Sequence, residues 1–293
     1  MSVALVGAGP GDPGLITVKG LDRVRACDVL VYDRLVAAEL VEEARGLRIE
    51  RDGLSQEVVN DLLVSHGRDS DVVRLKGGDP FLFGRGGEEA LALAEAGVPF
   101  EVIPGVSSLA SVPGSAGIPV THRGLASAVT AFAAHDVESL DVAALARVPG
   151  TLVAFMGGAN AERLAQRLIE HGKPSSTPAA VISRGTTDDE EVVLTPLGAL
   201  TAADVTPALV VIGDVVAVRD VLQRAGQRGA PRSREIPRAV STTAAAMVGS
   251  RFRRSKRSFG PATPTAPIAS VRRSKIGAAT PASPSNASSR STA

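Results

Sequence analysis

Short runs rich in β-branched residues alternate with segments of helical periodicity along most of the chain. In the first part, helical patterns at 17–26, 55–65 and 87–96 separate runs that we predict as strands: 3–6, 29–32, 72–75 and 100–103. Parallel strands need a crossover helix, so this alternation predicts an α/β fold with mostly parallel or mixed sheets.

The pattern begins again after Pro119, beyond a junction rich in proline and glycine (residues 113–119). The later elements are predicted helices at 160–171 and 214–225 and predicted strands at 128–132, 152–155, 179–183, 191–194 and 208–212. We therefore predict two α/β domains, residues 1–120 and 121–228, with a ligand cleft between them.

The last 65 residues have a different composition. Residues 229–293 hold twelve Arg or Lys and a single acid, Glu235, and 38 of the 65 are Ala, Ser, Pro or Thr. Such a segment buries too little apolar surface to offset the entropy of ordering, which predicts a disordered basic tail. Its basic cluster at 251–257 is of a kind that contacts nucleic acid or anionic surfaces, but we expect a solvated extension without a nucleic-acid partner.

Composition excludes several classes of protein. The apolar runs, such as 208–212, are far shorter than the roughly 20 residues that span a bilayer, and the first residues lack the basic start of a signal peptide. A single cysteine, Cys27, excludes an internal disulfide framework, and four scattered histidines do not suggest a metal site. We expect a cytoplasmic, metal-free protein that does not enter membranes.

The first glycine-rich motif, VGAGPGDP from Val6, follows the first predicted strand directly. It resembles the G-x-G-x-x-G turn of dinucleotide-binding proteins, but Asp12 occupies the third glycine position. Pro10 and Pro13 also remove backbone N–H groups that a pyrophosphate would need. The motif favours a rigid wall beside a ligand, and the alternative is a tight turn without a ligand.

The second motif, RLKGGDPFLFGRGGEE from Arg74, contains five glycines between a strand and a helix. Glycines there permit close backbone approach to a ligand at the carboxyl end of the sheet, where open α/β sheets bind their ligands. Its basic residues suit an anionic substrate. A purely structural loop is the alternative interpretation.

The third motif, IPGVSS from Ile103, ends a predicted strand and begins a helix. Ser107 or Ser108 can cap that helix, or contact a ligand together with the other two motifs. The residues themselves leave both interpretations open.

The motifs in combination resemble the tetrapyrrole methyltransferase family. The resemblance covers about residues 1–222 and is carried first by LVGAGPGDPGLITVKG from Leu5 and VYDRLV from Val31. Within the family, RLKGGDPFLFGRGGEE, FEVIPGVSSL and AGIPVTHRGLASAVT are most similar to uroporphyrinogen-III C-methyltransferases. The segments FMGGANAERLAQRLI, SRGTT and PALVVIGDVVAVRD are similar to the family's second domain.

The resemblance implies a homodimeric enzyme that transfers two methyl groups from S-adenosylmethionine to uroporphyrinogen III. The product, precorrin-2, leads toward siroheme and cobalamin. The implied methyl-donor contacts lie between the two domains and are Pro10, Gly77, Gly78, Asp79, Leu82, Ser107, Ser108, Met156 and Gly185.

Asp33 matches the position that the family uses as proton acceptor; without the resemblance it would be a surface aspartate in a turn. The tetrapyrrole carries several carboxylates, which basic residues lining the cleft would attract. The predicted set is Arg34, Arg74, Lys76, Arg85 and Arg123, and for each the alternative is an ordinary solvated charge.

One segment departs from the family pattern. The stretch RIERDGLSQ from Arg48 is shorter than its counterpart, and the lysine that serves the family as proton donor has no clear match. Arg51 occupies the nearest position and is the second catalytic candidate, although arginine keeps its proton and more readily attracts substrate carboxylates. The alternatives to the main function are a methyltransferase for a later precorrin and a homologue that binds S-adenosylmethionine without turnover.

Overall fold

The computed structural model describes residues 1–227 of the chain. The predicted tail, residues 229–293, lies outside the described residues, as does residue 228 of the predicted second domain. Eighteen helices and strands are described in these 227 residues, besides short 3₁₀ turns. In chain order they are β1 (Val3–Gly7), α1 (Val18–Ala26), β2 (Val29–Tyr32), α2 (Ala38–Glu42), β3 (Leu47–Glu50), α3 (Gln56–Gly67), β4 (Val72–Lys76), α4 (Gly86–Glu95), β5 (Phe100–Ile103), α5 (Ser108–Ser115), β6 (Val129–Ala133), α6 (Val142–Arg147), β7 (Thr151–Phe155), α7 (Ala161–Glu170), β8 (Pro178–Ser183), β9 (Glu191–Pro196), β10 (Ala208–Ile212) and α8 (Val218–Gln227).

The first sheet is entirely parallel, with strand order β3-β2-β4-β1-β5. Val24 of α1 and Leu40 of α2 pack on one face, whereas Leu63 of α3 and Leu93 of α4 pack on the other. The connections that leave β1 and β4 run in opposite directions along the sheet. Such a switch opens a crevice at the carboxyl ends of the two strands, and both long glycine motifs begin there.

The second sheet is mixed, with strand order β6-β7-β10-β8-β9. Only β6 and β7 pair in parallel, and the other neighbours are antiparallel. One face packs on α6 and α7 through residues such as Val142 and Leu164. The predicted fold class, α/β with two mostly parallel or mixed sheets, is confirmed.

Helix α5 belongs to the core of the second sheet although it precedes residue 120. Val112 and Ile118 lie in one apolar cluster with Val153 of β7 and Val211 of β10. The chain therefore leaves the first sheet soon after β5, and the domain boundary at residue 120 stays a prediction.

Three glycines bring the motifs of the first sheet into backbone contact. A Cβ on Gly7 would lie 2.5 Å from the Cα of Gly105, and Gly105 in turn abuts the carbonyl oxygen of Gly78. Gly78 also donates its N–H to the carbonyl oxygen of Gly9 at 2.6 Å. No Cβ fits at Gly7 or Gly105, so glycine is required at those two positions.

Within residues 1–227, no helix combines the length and the apolar character needed to cross a membrane.

We predict that Gly7→Ala destabilises the protein, because its Cβ would meet backbone that cannot rotate away. Overpacking of this kind typically costs about 1–3 kcal/mol of unfolding free energy, measurable by denaturant titration. Gly87→Ala is the matched control, since its Cβ meets no atom within 4 Å and alanine favours the first turn of α4. Equal losses in the two variants would contradict the close-contact interpretation.

Candidate functional site

The carboxylate of Asp79 holds the second and third glycine motifs together at the crevice. Its Oδ1 accepts a hydrogen bond from the N–H of Phe81 at 2.9 Å, and its Oδ2 accepts one from the N–H of Gly105 at 3.1 Å. Asp79 thus shapes the loop after β4 and ties it to the turn after β5.

The loop after β4 presents bare backbone to open space. Gly77 is exposed, and a Cβ placed on it would meet no atom within 4 Å. Gly78 has a left-handed φ of +66°, and its missing side chain would point toward Ser108, whose Oγ lies 3.5 Å from the Cβ position. A ligand can therefore approach the main chain here without displacing a side chain.

The structure confirms the capping role of Ser107, which is the N-cap of α5 and accepts a hydrogen bond from the N–H of Leu109 at 3.2 Å. Pro10 and Leu82 are half-buried in the loops after β1 and β4. Ligand contacts by Pro10, Leu82, Ser107 and Ser108 stay predictions.

Loops from the second sheet reach the same crevice. Asp12, after β1, donates its N–H to the Thr186 Oγ1 at 3.2 Å, and the ring of Phe83 packs against that of Phe155 with centroids 4.8 Å apart. Gly185 abuts Val112 of α5, and exposed Met156 directly follows β7. The crevice is therefore bordered by loops from both sheets.

Strained backbone is concentrated in these loops. Five non-glycine residues among residues 1–227 have a positive φ, and they are Phe83, Arg85, Met156, Arg184 and Thr186. All five lie in the loops that follow β4, β7 and β8. Such strain costs free energy and clusters at functional sites, which supports a ligand site here. Sequence analysis gave no sign of it, because none of these residue types favours the left-handed region.

A buried ion cluster lies beneath the loop that follows β4. Arg74, Lys76 and Glu89 are at most 2% exposed. The Glu89 Oε1 accepts from the Arg74 Nε at 3.0 Å and from the Lys76 Nζ at 2.8 Å, and Arg74 also pairs through Nη2 with Asp33. Sequence analysis missed Glu89. A signal was available: Arg74 and Lys76 are two residues apart and so share one face of β4, and an acid in the helix that follows can pair with both.

Arg74 and Lys76 were predicted to line the cleft surface, but the structure buries both. Both point from β4 into the first sheet's core, where each has a carboxylate partner. Burial lowers the pKa of the Lys76 ammonium, and neighbouring Arg74 lowers it further, whereas Glu89 and Asp33 act in the opposite direction. As placed, these cations stabilise local carboxylates rather than face solvent.

The other predicted cations are exposed. Arg34 lies 3.6 Å from Asp52 through its Nε, Arg85 pairs with Glu88, and Arg123 lies between β6 and the end of α5. Exposed ion pairs are weak, so these side chains could exchange their present partners for an anionic ligand at little cost in free energy.

Asp33 and Arg51 follow adjacent strands, β2 and β3. Asp33 is about a quarter exposed. Arg51 donates its backbone N–H to the Tyr32 carbonyl at 2.9 Å, and its Nη2 donates to the Leu54 carbonyl at 3.1 Å. The structure thus brings the ends of both strands together but directs one nitrogen of Arg51 into its own turn.

Within residues 1–227, no group of three or more His, Cys, Asp and Glu side chains has an arrangement that could hold a metal ion.

Fold and site together define a two-sheet α/β protein with a glycine-lined crevice. The sequence profile of the tetrapyrrole (corrin/porphyrin) methylases matches residues 2–201, and the chain belongs to that family. The predicted family and its class, the methyltransferases, are thereby confirmed.

Among relatives, siroheme synthase 1 of Yersinia pseudotuberculosis is 45% identical over 254 residues, which are 82% of this chain and 54% of that protein. The chain thus spans about half the length of the curated relatives it matches. Among solved structures, the uroporphyrin-III C-methyltransferase of Thermus thermophilus complexed with S-adenyl homocysteine is 40% identical, with a TM-score of 0.66 over 74% of this chain and 100% of that one. A cobalt precorrin-4 methyltransferase has the same TM-score at 27% identity, over 73% of this chain and 95% of its own.

We predict that Arg74→Lys lowers the unfolding free energy by about 1–3 kcal/mol, because lysine keeps the charge but leaves buried acceptors without hydrogen-bond donors. A single ammonium cannot replace a guanidinium that donates to Glu89, to Asp33 and to the carbonyl of Leu75. Thermal and denaturant unfolding measure the loss. Exposed Arg34→Lys should change stability by less than about 0.5 kcal/mol, and a comparable loss there would refute the argument from burial.

Proposed function

We propose that this chain is an S-adenosylmethionine-dependent C-methyltransferase that converts uroporphyrinogen III to precorrin-2 in two successive methylations. The observation that carries the proposal is a crevice at the ends of β1 and β4, where Gly77 leaves the main chain uncovered, next to a carboxylate, Asp33, held by a buried guanidinium. Incubation with uroporphyrinogen III and the methyl donor, followed by mass spectrometry, tests it. A product that gains two methyl groups is expected, and an unchanged substrate would contradict the proposal.

Two observations support this crevice as the site of the methyl donor. The related Thermus thermophilus enzyme was crystallised with S-adenyl homocysteine, and the donor supplies a methyl group already activated on a sulfonium. The predicted binding set includes Gly77, which leaves backbone accessible, buried Gly78 beside it, and exposed Met156 on the opposite border. Asp79 and Gly185 shape the borders through their own contacts. The protein then has to hold the donor and the tetrapyrrole in the orientation for methyl transfer.

Asp33 is the residue we assign to the proton that the tetrapyrrole macrocycle loses after a ring carbon has been methylated. Its carboxylate is partly exposed at the end of β2 and oriented from below by Arg74. A carboxylate held in one orientation can accept a proton without reorganising, which is what general base assistance requires. We assign Arg51 to attracting substrate carboxylates.

The exposed cations Arg34, Arg85 and Arg123 are the candidates for direct contact with the substrate's carboxylates. Arg74 and Lys76, which are buried, would act on an anionic substrate only through their field and through Asp33. The homodimer, the cytoplasmic location and the onward route to siroheme or cobalamin stay predictions.

A second candidate, methylation of a later precorrin, is favoured by the likeness to a cobalt precorrin-4 methyltransferase. The same mass assay with later precorrins distinguishes the two substrates. The third alternative, a donor-binding homologue without turnover, predicts donor binding with no product from any of them.

We predict that the purified chain binds S-adenosylmethionine with a Kd in the low micromolar range, about 8 kcal/mol of binding free energy, by titration calorimetry. Gly78→Val should weaken binding at least tenfold, about 1.4 kcal/mol, because a branched side chain would project toward Ser108 and block approach to the main chain beside exposed Gly77. Gly97→Val is the matched control, since Gly97 has nearly the same φ, +67°, and lies in a remote turn. Equal weakening in both variants would point to strain alone, and no binding in the unsubstituted chain would reject the donor site.

We predict that Asp33→Asn retains donor binding while kcat falls by roughly 10²–10⁴-fold, the usual contribution of acid–base assistance. Arg51→Ala should mainly raise KM, and its effect should shrink as salt screens the attraction between charges. Steady-state kinetics at two ionic strengths separate the cases. Full turnover in Asp33→Asn, or a loss in Arg51→Ala confined to kcat, would overturn these roles.

A further inference from the structure

Glu89 is the centre of the buried ion cluster but does not reach the crevice. It lies in the first turn of α4 and is fully buried. Its Oε1 accepts from the Arg74 Nε, the Lys76 Nζ and, at 3.4 Å, the Gln56 Nε2. One carboxylate oxygen thus gathers three donors beneath the site.

Arg74 connects Glu89 to Asp33. The guanidinium donates through Nε to Glu89, through Nη2 to Asp33, and through Nη1 to the carbonyl oxygens of Leu75 at 3.1 Å and Val31 at 3.4 Å. Each of its three nitrogens has a partner, so the planar group cannot rotate without losing hydrogen bonds. The orientation of Arg74, and with it that of Asp33, therefore depends on Glu89.

The charges of the cluster balance in pairs. Arg74 and Lys76 provide two cations, and Glu89 and Asp33 provide two anions. Without Glu89, both cations would have only Asp33 as an anion, and a buried charge without a partner is costly. Glu89 therefore keeps Asp33 from having to neutralise two cations.

Stability alone does not account for this arrangement. The second oxygen of Glu89, Oε2, is buried and has no hydrogen-bond partner among the described residues, which is rare for a buried carboxylate. Helix capping does not explain it either, since Arg85 is the N-cap of α4 and Glu89 accepts its hydrogen bonds from side chains of β4 and α3. A polar group that is both buried and incompletely satisfied calls for a role beyond packing.

We propose that Glu89 is a positioning residue that holds Asp33, through Arg74, in the orientation needed to accept the substrate proton. The proposal deepens the proposed function and rests on it, because Asp33 is taken as the proton acceptor. Glu89 itself touches neither reactant.

The kinetic test compares Glu89→Gln, Asp33→Asn and the double variant in the two-methyl assay. Glutamine keeps the size and one acceptor oxygen but removes the charge. Glu89→Gln should lower kcat about 10- to 100-fold, as misplacement of a catalytic group does, and leave KM and donor affinity within about twofold. Glu95→Gln, an exposed change in the last turn of α4, should match the unsubstituted enzyme.

The double variant separates positioning from general damage. If Glu89 acts through Asp33, adding Glu89→Gln to Asp33→Asn should change kcat by less than about twofold. Losses that multiply, or a Glu89→Gln enzyme with the turnover of the Glu95→Gln control, would overturn the proposal. If Glu89→Gln does not fold, Lys76→Met/Glu89→Gln removes one charge of each sign and takes its place in the same comparison.

A measurement independent of turnover distinguishes failure of this inference from failure of the proposed function. In protein labelled with ¹⁵N-arginine, the Arg74 Nε–H signal, assigned with Arg74→Lys, should be protected from solvent exchange. Glu89→Gln, which leaves only a neutral acceptor, should weaken that protection, Asp33→Asn should also weaken it, and Glu95→Gln should leave it unchanged. If neither Glu89→Gln nor Asp33→Asn changes the Arg74 signal, the coupling between these residues is overturned. If both change it but the protein methylates no tetrapyrrole, the coupling stands and only the proton-transfer role is rejected.

Discussion

Direct contact between backbone segments at Gly7, Gly78 and Gly105 is the constraint on which the crevice depends. β1 and β4 are neighbours in a parallel sheet, so the loops that follow them leave from the same edge and compete for the same space. Glycine lets the loops touch without side chains between them, and Asp79 then ties two of them together. The main chain that remains uncovered at Gly77 is the surface offered to a ligand.

Below that surface, the first sheet buries charge rather than only apolar side chains. Val72, Arg74 and Lys76 alternate along β4 and share one face, where α3 and α4 would otherwise require hydrophobic residues. The cost of burying two cations is offset by Glu89 from α4 and by Asp33 from the end of β2. The result is a carboxylate at the crevice whose orientation is set by the core and not by solvent.

The second sheet completes the borders of the site through loops that hold unfavourable backbone conformations. Met156, Arg184 and Thr186 adopt left-handed φ values next to loops from the first sheet, and the Phe83–Phe155 contact joins the two sides. Tertiary contacts must outweigh the local cost of these conformations. The site therefore has a glycine border on one side and strained loops on the other.

Much of this fold was predictable from the sequence, because strong alternation and long helical periods identify buried strands and amphipathic helices. The strand β3 and the short helix α2 escaped prediction, since the edge strand LRIE is largely exposed and five residues are too few for a helical period. Helix α5 was expected, but not its packing on the second sheet, which depends on contacts with residues more than 35 positions later.

By itself, the sequence determined the α/β class, the three glycine motifs and the family resemblance, because each is written in local residue types and spacings. Asp33 was selected by that resemblance. Only the tertiary structure decided which of the predicted cations are exposed and which are buried. In a central parallel strand both faces are buried, so the two-residue period of β4 cannot tell a solvent-facing Arg74 from a buried one. That outcome depends on a carboxylate, Glu89, which the helix after the glycine loop brings back beneath the sheet.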